Sequence, residues 1–208
     1  DAVEKIAQTG AQLILTVDCG SLSHKEIVRA NELGVDVIVT DHHNVADTPP
    51  PAIATINPKR LLHDFPEMYE GFVLKAGREV PVPSASKLYP FLDLPGVGVA
   101  FKLVQALQTV MDGLPVGQEK WLLDLVALGT VCDVVTLADE NRMHVYWGLK
   151  VLAQTRRPGL KALMAVSSVR PDTLNARSLG FGLGPRMNAS GRMETAQHSL
   201  DLLTATDG

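Results

Sequence analysis

The tetrapeptide Thr40-Asp41-His42-His43 sets a carboxylate and two imidazoles in a row, a group that can bind a divalent metal. A second aspartate, Asp18, stands in Val17-Asp18-Cys19-Gly20-Ser21, and a third, Asp133, in Gly129-Thr130-Val131-Cys132-Asp133-Val134-Val135. Asp133 is a charged residue inside a hydrophobic stretch. Burying a carboxylate alone is costly, so a partner is expected, and a metal is a good one. A fourth stretch, Gly184-Pro185-Arg186-Met187-Asn188-Ala189-Ser190-Gly191-Arg192, offers Arg186, Asn188 and Arg192 as donors suited to phosphate oxygens. Each stretch also has a plainer reading. Asp-His-His can be a polar turn, Asp18 an N-cap or Asx-turn residue, and the glycine-rich stretch an interdomain loop with solvated arginines.

The elements around these residues give them a common place. Val37, Ile38 and Val39 are consecutive β-branched residues, which predict a strand buried on both faces, as in a parallel sheet. Its end delivers Asp41, His42 and His43 to the carboxyl edge, the usual place for ligands in open α/β sheets. Residues 13–17 predict a short buried strand ending at Asp18. Between the two, Ser23 and Glu26 read as a capping box for a helix that buries Ile27, Ala30 and Leu33 and stops at Gly34. Strand, helix and strand with short connections predict parallel pairing, so Asp18 and the histidines share one edge. A helix over residues 1–9 precedes this unit, and a third strand over 52–56 follows the prolines at 49–51.

The expected fold class is α/β: a mostly parallel sheet flanked by helices, followed by a mainly helical segment. Residues 1–57 form the parallel part, 58–94 an irregular insertion with a small hairpin near 71–82, and 95–178 a helical remainder carrying Asp133. Residues 179–208 form a connecting segment. Helices are expected over 95–111, 119–128, 140–154 with Asp139 as cap, 159–166 and 194–205. Gly96 and Gly98 read as small residues for close helix packing rather than as a phosphate cradle.

Composition sets further bounds. Of the 208 residues, 46% are hydrophobic, yet no apolar run is long enough to cross a bilayer and no cleavable signal is visible. Two cysteines, Cys19 and Cys132, are too few for a disulfide framework and point to a reducing cytoplasm. A net charge of −4 means that any nucleic-acid contact must come from a local basic patch or from bound metal.

In this order and spacing the four stretches resemble the DHH phosphoesterase superfamily, and within it the RecJ-type single-strand DNA exonucleases. The tripeptide carries the superfamily. The stretch from Gly184 to Arg192 carries the RecJ branch, which the helix after Pro95 also resembles. The resemblance implies a two-metal phosphodiesterase, using Mn²⁺ or Mg²⁺, that removes nucleotides from single-stranded DNA in the 5′ to 3′ direction in DNA repair and recombination. It implies Asp18, His42 and Asp133 as metal ligands, His43 as a contact to the scissile phosphate or a support of the metal's surroundings, and Asp41 as the residue that orients a histidine. Arg186, Asn188 and Arg192 would hold substrate phosphate. A single-strand-binding protein and a helicase are the further partners it suggests.

The family's Asp-x-Asp strand has no match before Asp18, and its substrate-gripping and OB-fold domains have none after Arg192. The expectation is therefore an internal piece of the catalytic core that binds metal weakly and hydrolyses DNA slowly by itself. Two alternatives stand beside it: a DHH-type hydrolase of short oligonucleotides, cyclic dinucleotides or pyrophosphate, and a catalytically silent DNA-binding scaffold. The stretch from Gly184 to Arg192 counts against the first, and intact Asp18, His42 and Asp133 count against the second.

Overall fold

The computed structural model describes residues 2–75, 78–83, 89–113, 115–193 and 195–207, and the chain divides into two compact units, residues 1–103 and 104–208. In the first unit, β1 (Leu13–Val17), β2 (Asp36–Thr40) and β3 (Ala54–Ile56) form a parallel sheet in that order. Leu15 pairs with Ile38, and Thr40 with Ile56. Helix α1 (Ala2–Gln8) precedes β1, and α2 (His24–Glu32) connects β1 to β2. Ile27 and Ala30 of α2 bury against Val35, Val37 and Val39, with Val3, Ala7 and Ile14 at the margin. The β-branched run of β2 thus makes the central strand, as its composition predicts.

Three local expectations fail, the first being burial of Leu33, which is 37% exposed at the end of α2. The strand β1 is not buried: Leu13, Leu15 and Val17 are 51%, 46% and 55% exposed. Among the described residues it pairs with β2 alone, and its own residues alternate between the helix-covered face and the open one. Ser23 does occupy the N-cap of α2, but its side chain makes no capping hydrogen bond. There the backbone of Ser23 takes over, and Ile27 N–H donates to its carbonyl.

The segment 58–94 has more structure than its composition suggests. Helix α3 (Pro58–Asp64) starts with proline at its first position and is capped by Asn57, whose Oδ1 accepts from Lys59 N–H at 3.0 Å. Strands β4 (Tyr69–Lys75) and β5 (Arg78–Pro83) pair antiparallel, which is the small hairpin; residues 76–77 and 84–88 lie outside the described residues. Helix α4 (Gly96–Leu107) follows, and its Val99 packs with Phe91 and Leu94 against Ile56.

In the second unit, a short 3₁₀ turn at Gln118–Leu122 leads into α5 (Leu123–Cys132), α6 (Asp139–Ala153) and α7 (Pro158–Val166). A π-helical stretch, Ser178–Leu183, runs directly into α8 (Gly184–Met193), and α9 (Gln197–Thr204) follows. Ala127, Leu128, Leu152, Leu160, Leu179 and Leu183 form the core. Asp139 begins α6 rather than capping it, since Ala138 holds the cap position. Glu194, where the sequence starts the last helix, lies outside the described residues.

The glycine-rich stretch is helix, not an interdomain loop. Its glycines serve helix packing: a Cβ on Gly184 would overlap the Cys132 sulfur of α5. The fold class stands as expected, a parallel sheet with flanking helices followed by a helical segment. Among the described residues no helix is long and apolar enough to cross a membrane.

Candidate metal centre

At the carboxyl edge of β1 the chain turns at Asp18, whose N–H still donates to the Thr40 carbonyl at 2.9 Å while its own φ is +64°. Aspartate tolerates this left-handed conformation better than most residues. The turn sets the carboxylate against Gly96, the first residue of α4, where any Cβ would overlap it. The positive end of a helix favours an anion at that place.

At the end of β2, Asp41 is almost fully buried and works as an acceptor hub. Its Oδ1 accepts from the backbone N–H of His42 at 2.8 Å and of His43 at 3.2 Å, and its Oδ2 accepts from Ser21 N–H at 2.9 Å. The ring of His43 adds a contact of 2.7 Å between Nδ1 and Oδ1. Burial alone would raise the Asp41 pKa, but the Ser21 amide and the His43 ring outweigh it and hold the carboxyl well below the usual carboxylate range. An ionised carboxylate only accepts, so Nδ1 of His43 carries the donated proton, and in the neutral ring Nε2 is the acceptor atom. Asp41 therefore orients His43.

Asn57 locks this corner from β3. Its Nδ2 donates to Ser21 Oγ and to the His43 carbonyl, both at 2.9 Å. The same side chain caps α3 with its oxygen, so one residue ties three loops together. Sequence reasoning missed Asn57 and Ser21. The pair Asn57-Pro58 was the available signal, an N-cap followed by proline at the first helical position.

Donor atoms of Asp18, His42 and His43 lie within 4.8 Å of one another. His42 Nε2 is 3.0 Å from Asp18 Oδ1. Neighbouring ligands in an octahedral shell with bonds of roughly 2.1 Å stand about 3 Å apart, so this pair has the spacing of two ligands on one ion. One carboxylate and two imidazoles suit a divalent transition metal such as manganese. Burial and the charges of Asp41 and Asp18 push the Cys19 thiol pKa up.

The other expected site residues lie in the second unit. Asp133 is the exposed C-cap of α5, where the sequence suggested a buried carboxylate. The apolar run around it is a helix, and an apolar helix can end in solvent. The next residue, Val134, has φ +59°, an uncommon strain for a β-branched side chain. Arg186, Asn188 and Arg192 are exposed on α8. Asn188 and Arg192, one turn apart, share a face, but Arg186 lies about 160° around the helix from Asn188. The Arg186 guanidinium folds back to donate to the Gly182 carbonyl at 2.8 Å.

Residues 1–130 match the family model described as DHH family, N-terminal domain. The single-stranded-DNA-specific exonuclease RecJ of Salmonella typhimurium is 42% identical over 212 residues, covering 98% of this chain and 33% of the relative. The Escherichia coli protein of the same name is 40% identical, with the same coverage. The crystal structure of RecJ in complex with Mn²⁺ from Thermus thermophilus superposes with a TM-score of 0.72 at 31% identity, covering 99% of this chain and 26% of that one. A second structure, exonuclease RecJ bound to manganese, gives 0.69 at 31% identity over 96% of this chain and 44% of that one. The chain thus spans about a third of the length of these curated relatives.

Proposed function

The chain belongs to the DHH family, and on that premise we propose that it is part of a metal-dependent exonuclease that removes nucleotides from the 5′ end of single-stranded DNA. What carries the reading is the cluster of Asp18, His42 and His43 donors at the carboxyl edge of a parallel sheet. The relatives named as single-stranded-DNA-specific exonucleases and the manganese-bound structures support the substrate and the metal.

Asp18 and His42 would hold the metal, Mn²⁺ or Mg²⁺. When bound, the metal supplies positive charge for phosphate oxygens and makes water a better nucleophile at neutral pH. The chain's own residues do the positioning. Asp41 holds the His43 ring so that Nε2 faces outward, where the imidazole meets either the metal or a phosphate oxygen. Gly96 leaves room for the Asp18 carboxylate, and Asn57 fixes the His43 backbone. Asp133 enters as a further metal ligand on the family motif alone. Asn188 and Arg192 would hold substrate phosphate from one helix face, and Arg186 would join them by releasing the Gly182 carbonyl.

The same reading places the protein in DNA repair and recombination in the cytoplasm, with a single-strand-binding protein and a helicase as its partners. Residues 179–208 would lead toward a substrate-gripping domain. The test is hydrolysis by the full-length protein of single-stranded DNA labelled at either end, with Mn²⁺. Mononucleotide release from the 5′ end, abolished in Asp18→Ala, is the expected result. Preference for dinucleotides over long strands would place the protein with the small-substrate hydrolases instead. Absence of any metal-dependent cleavage would reject the proposal.

A further inference from the structure

The chain contains two tryptophans, Trp121 and Trp147, and both are about half exposed, at 49% and 50%. Each has a cation over its ring. Lys150 Nζ lies 4.4 Å from the Trp147 centroid and 4.3 Å from that of Tyr146, itself an exposed side chain. The Arg156 guanidinium lies 5.8 Å from the centroid of Trp121. Met143, Tyr146, Trp147 and Lys150 follow helical spacing, so the outer side of α6 carries an apolar, aromatic and cationic surface. The inner side is committed to packing: His144, Val145 and Leu152 are buried, and a Cβ on Gly148 would overlap the Leu123 carbonyl. Val151, one turn beyond Trp147, lines a cavity of about 350 Å³ together with Trp121, Arg156 and Arg157. The rings and the cavity are therefore continuous along α6.

Charge separates the possible occupants. From the start of α6 to the end of α8, residues 139–193 hold nine of the chain's 19 Lys and Arg but three of its 23 Asp and Glu. In a chain of net charge −4, this segment is strongly positive. Arg157 is spent on the buried carboxylate of Asp124 at 3.2 Å, but Lys150 and Arg156 rest on aromatic faces. A helix pair of Lys and Tyr one turn apart explains the position of Lys150. It does not explain the exposed Trp147 ring that Lys150 also covers. An apolar protein surface docking here would have to displace or desolvate both cations. A strand with flat bases and a phosphate backbone would stack on the rings and pair with the cations.

We infer that the outer face of α6, with the cavity at Trp121, is a stacking platform for single-stranded nucleic acid, distinct from the Asp18–His42–His43 cluster. The inference rests on the nuclease reading only for the identity of the strand. Tyr146 and Trp147 stand edge to face, with 5.2 Å between centroids and 82° between planes, so each ring offers its face to a separate base rather than to one continuous stack. Such a platform would hold a strand by its bases without reading their order.

The test compares the full-length protein with its Tyr146→Ala/Trp147→Ala variant. Binding of a long and a short fluorescent thymidine oligomer is measured by anisotropy in EDTA, so that the strand survives. The long oligomer should bind the variant about tenfold or more weakly, given the usual loss per stacked base. The short one, hydrolysed after Mn²⁺ is restored, should be cut at the parent rate. Trp147→Phe alone should keep most of the affinity, and an abasic strand should bind parent and variant equally. Equal long-oligomer affinity in parent and variant overturns the inference, whatever the melting temperature does. So does a defect that persists on the abasic strand, or an equal loss on short substrates. If the parent fails to cut DNA at all, the nuclease reading falls, and the EDTA comparison still decides the platform.

Discussion

His42 Nε2 lies 3.0 Å from Asp18 Oδ1, although 24 positions separate the residues in the chain and they leave different strands. Two parallel strands in register bring them together, since Val17 pairs with Thr40. The two side chains are therefore placed by backbone pairing and then trimmed by the residues around them. Each supporting residue can be tested separately.

Gly96→Ala sets two effects against each other. Alanine is the better helix former by roughly 1 kcal/mol, which would stabilise α4. The new Cβ would instead occupy the place of the Asp18 carboxylate, and overpacking of this kind costs about 1–3 kcal/mol. The expected outcome is a net loss of stability and at least a tenfold loss of Mn²⁺ affinity by calorimetry. A more stable variant with parental metal affinity would refute the role given to Gly96.

Asp41→Ala removes the acceptor of three backbone amides and of the His43 ring. Leaving such groups without partners in a buried corner costs about 1–3 kcal/mol each at most. Denaturant midpoints should fall accordingly. Hydrolysis should drop about 10–100-fold, the usual effect of removing a residue that orients a metal-site histidine.

The same carboxylate gives a pH dependence. Its folded pKa lies below its unfolded value of about 3.9, so the folded state binds fewer protons in that range. Its contribution is complete above about pH 5 and is lost as pH falls below 4 toward the folded pKa. Unfolding free energy of the parent should therefore decline on acidification more steeply than that of Asp41→Asn. Parallel curves would mean that Asp41 is not held ionised.

Asn57→Ala should loosen the corner without touching a metal donor. It removes the hydrogen bonds to Ser21 Oγ and the His43 carbonyl, and the cap of α3. The cap alone is worth about 1 kcal/mol. The expected variant is less stable, with slower hydrolysis and nearly unchanged Mn²⁺ affinity. Intact stability with lost affinity would instead put Asn57 among the ligands.

The parallel core was legible because the run Val37-Ile38-Val39 admits few other structures, and because short connections fix which strand ends share an edge. The exposure of β1 was not legible in its own residues, since Leu13, Leu15 and Val17 are apolar whichever side they face. The stretch around Asp133 misled for a related reason, since its neighbours are apolar whether the carboxylate is buried or stands at the exposed end of a helix. The glycines at 180, 182 and 184 suggested a loop by propensity. Tertiary packing overrode that, because they face Val131, Val169 and Cys132 closely enough that side chains would crowd or clash. Asn57 was hidden because its role depends on two residues distant in the chain, Ser21 and His43.

The central claim is that Asp18 and His42 share a divalent cation. The most direct measurement is an anomalous difference map from crystals of the full-length protein grown with Mn²⁺. The account predicts a peak at roughly 2.1–2.3 Å from both Asp18 Oδ1 and His42 Nε2, absent from crystals of Asp18→Ala. A manganese peak bound by neither residue, or one unchanged in Asp18→Ala, would contradict it.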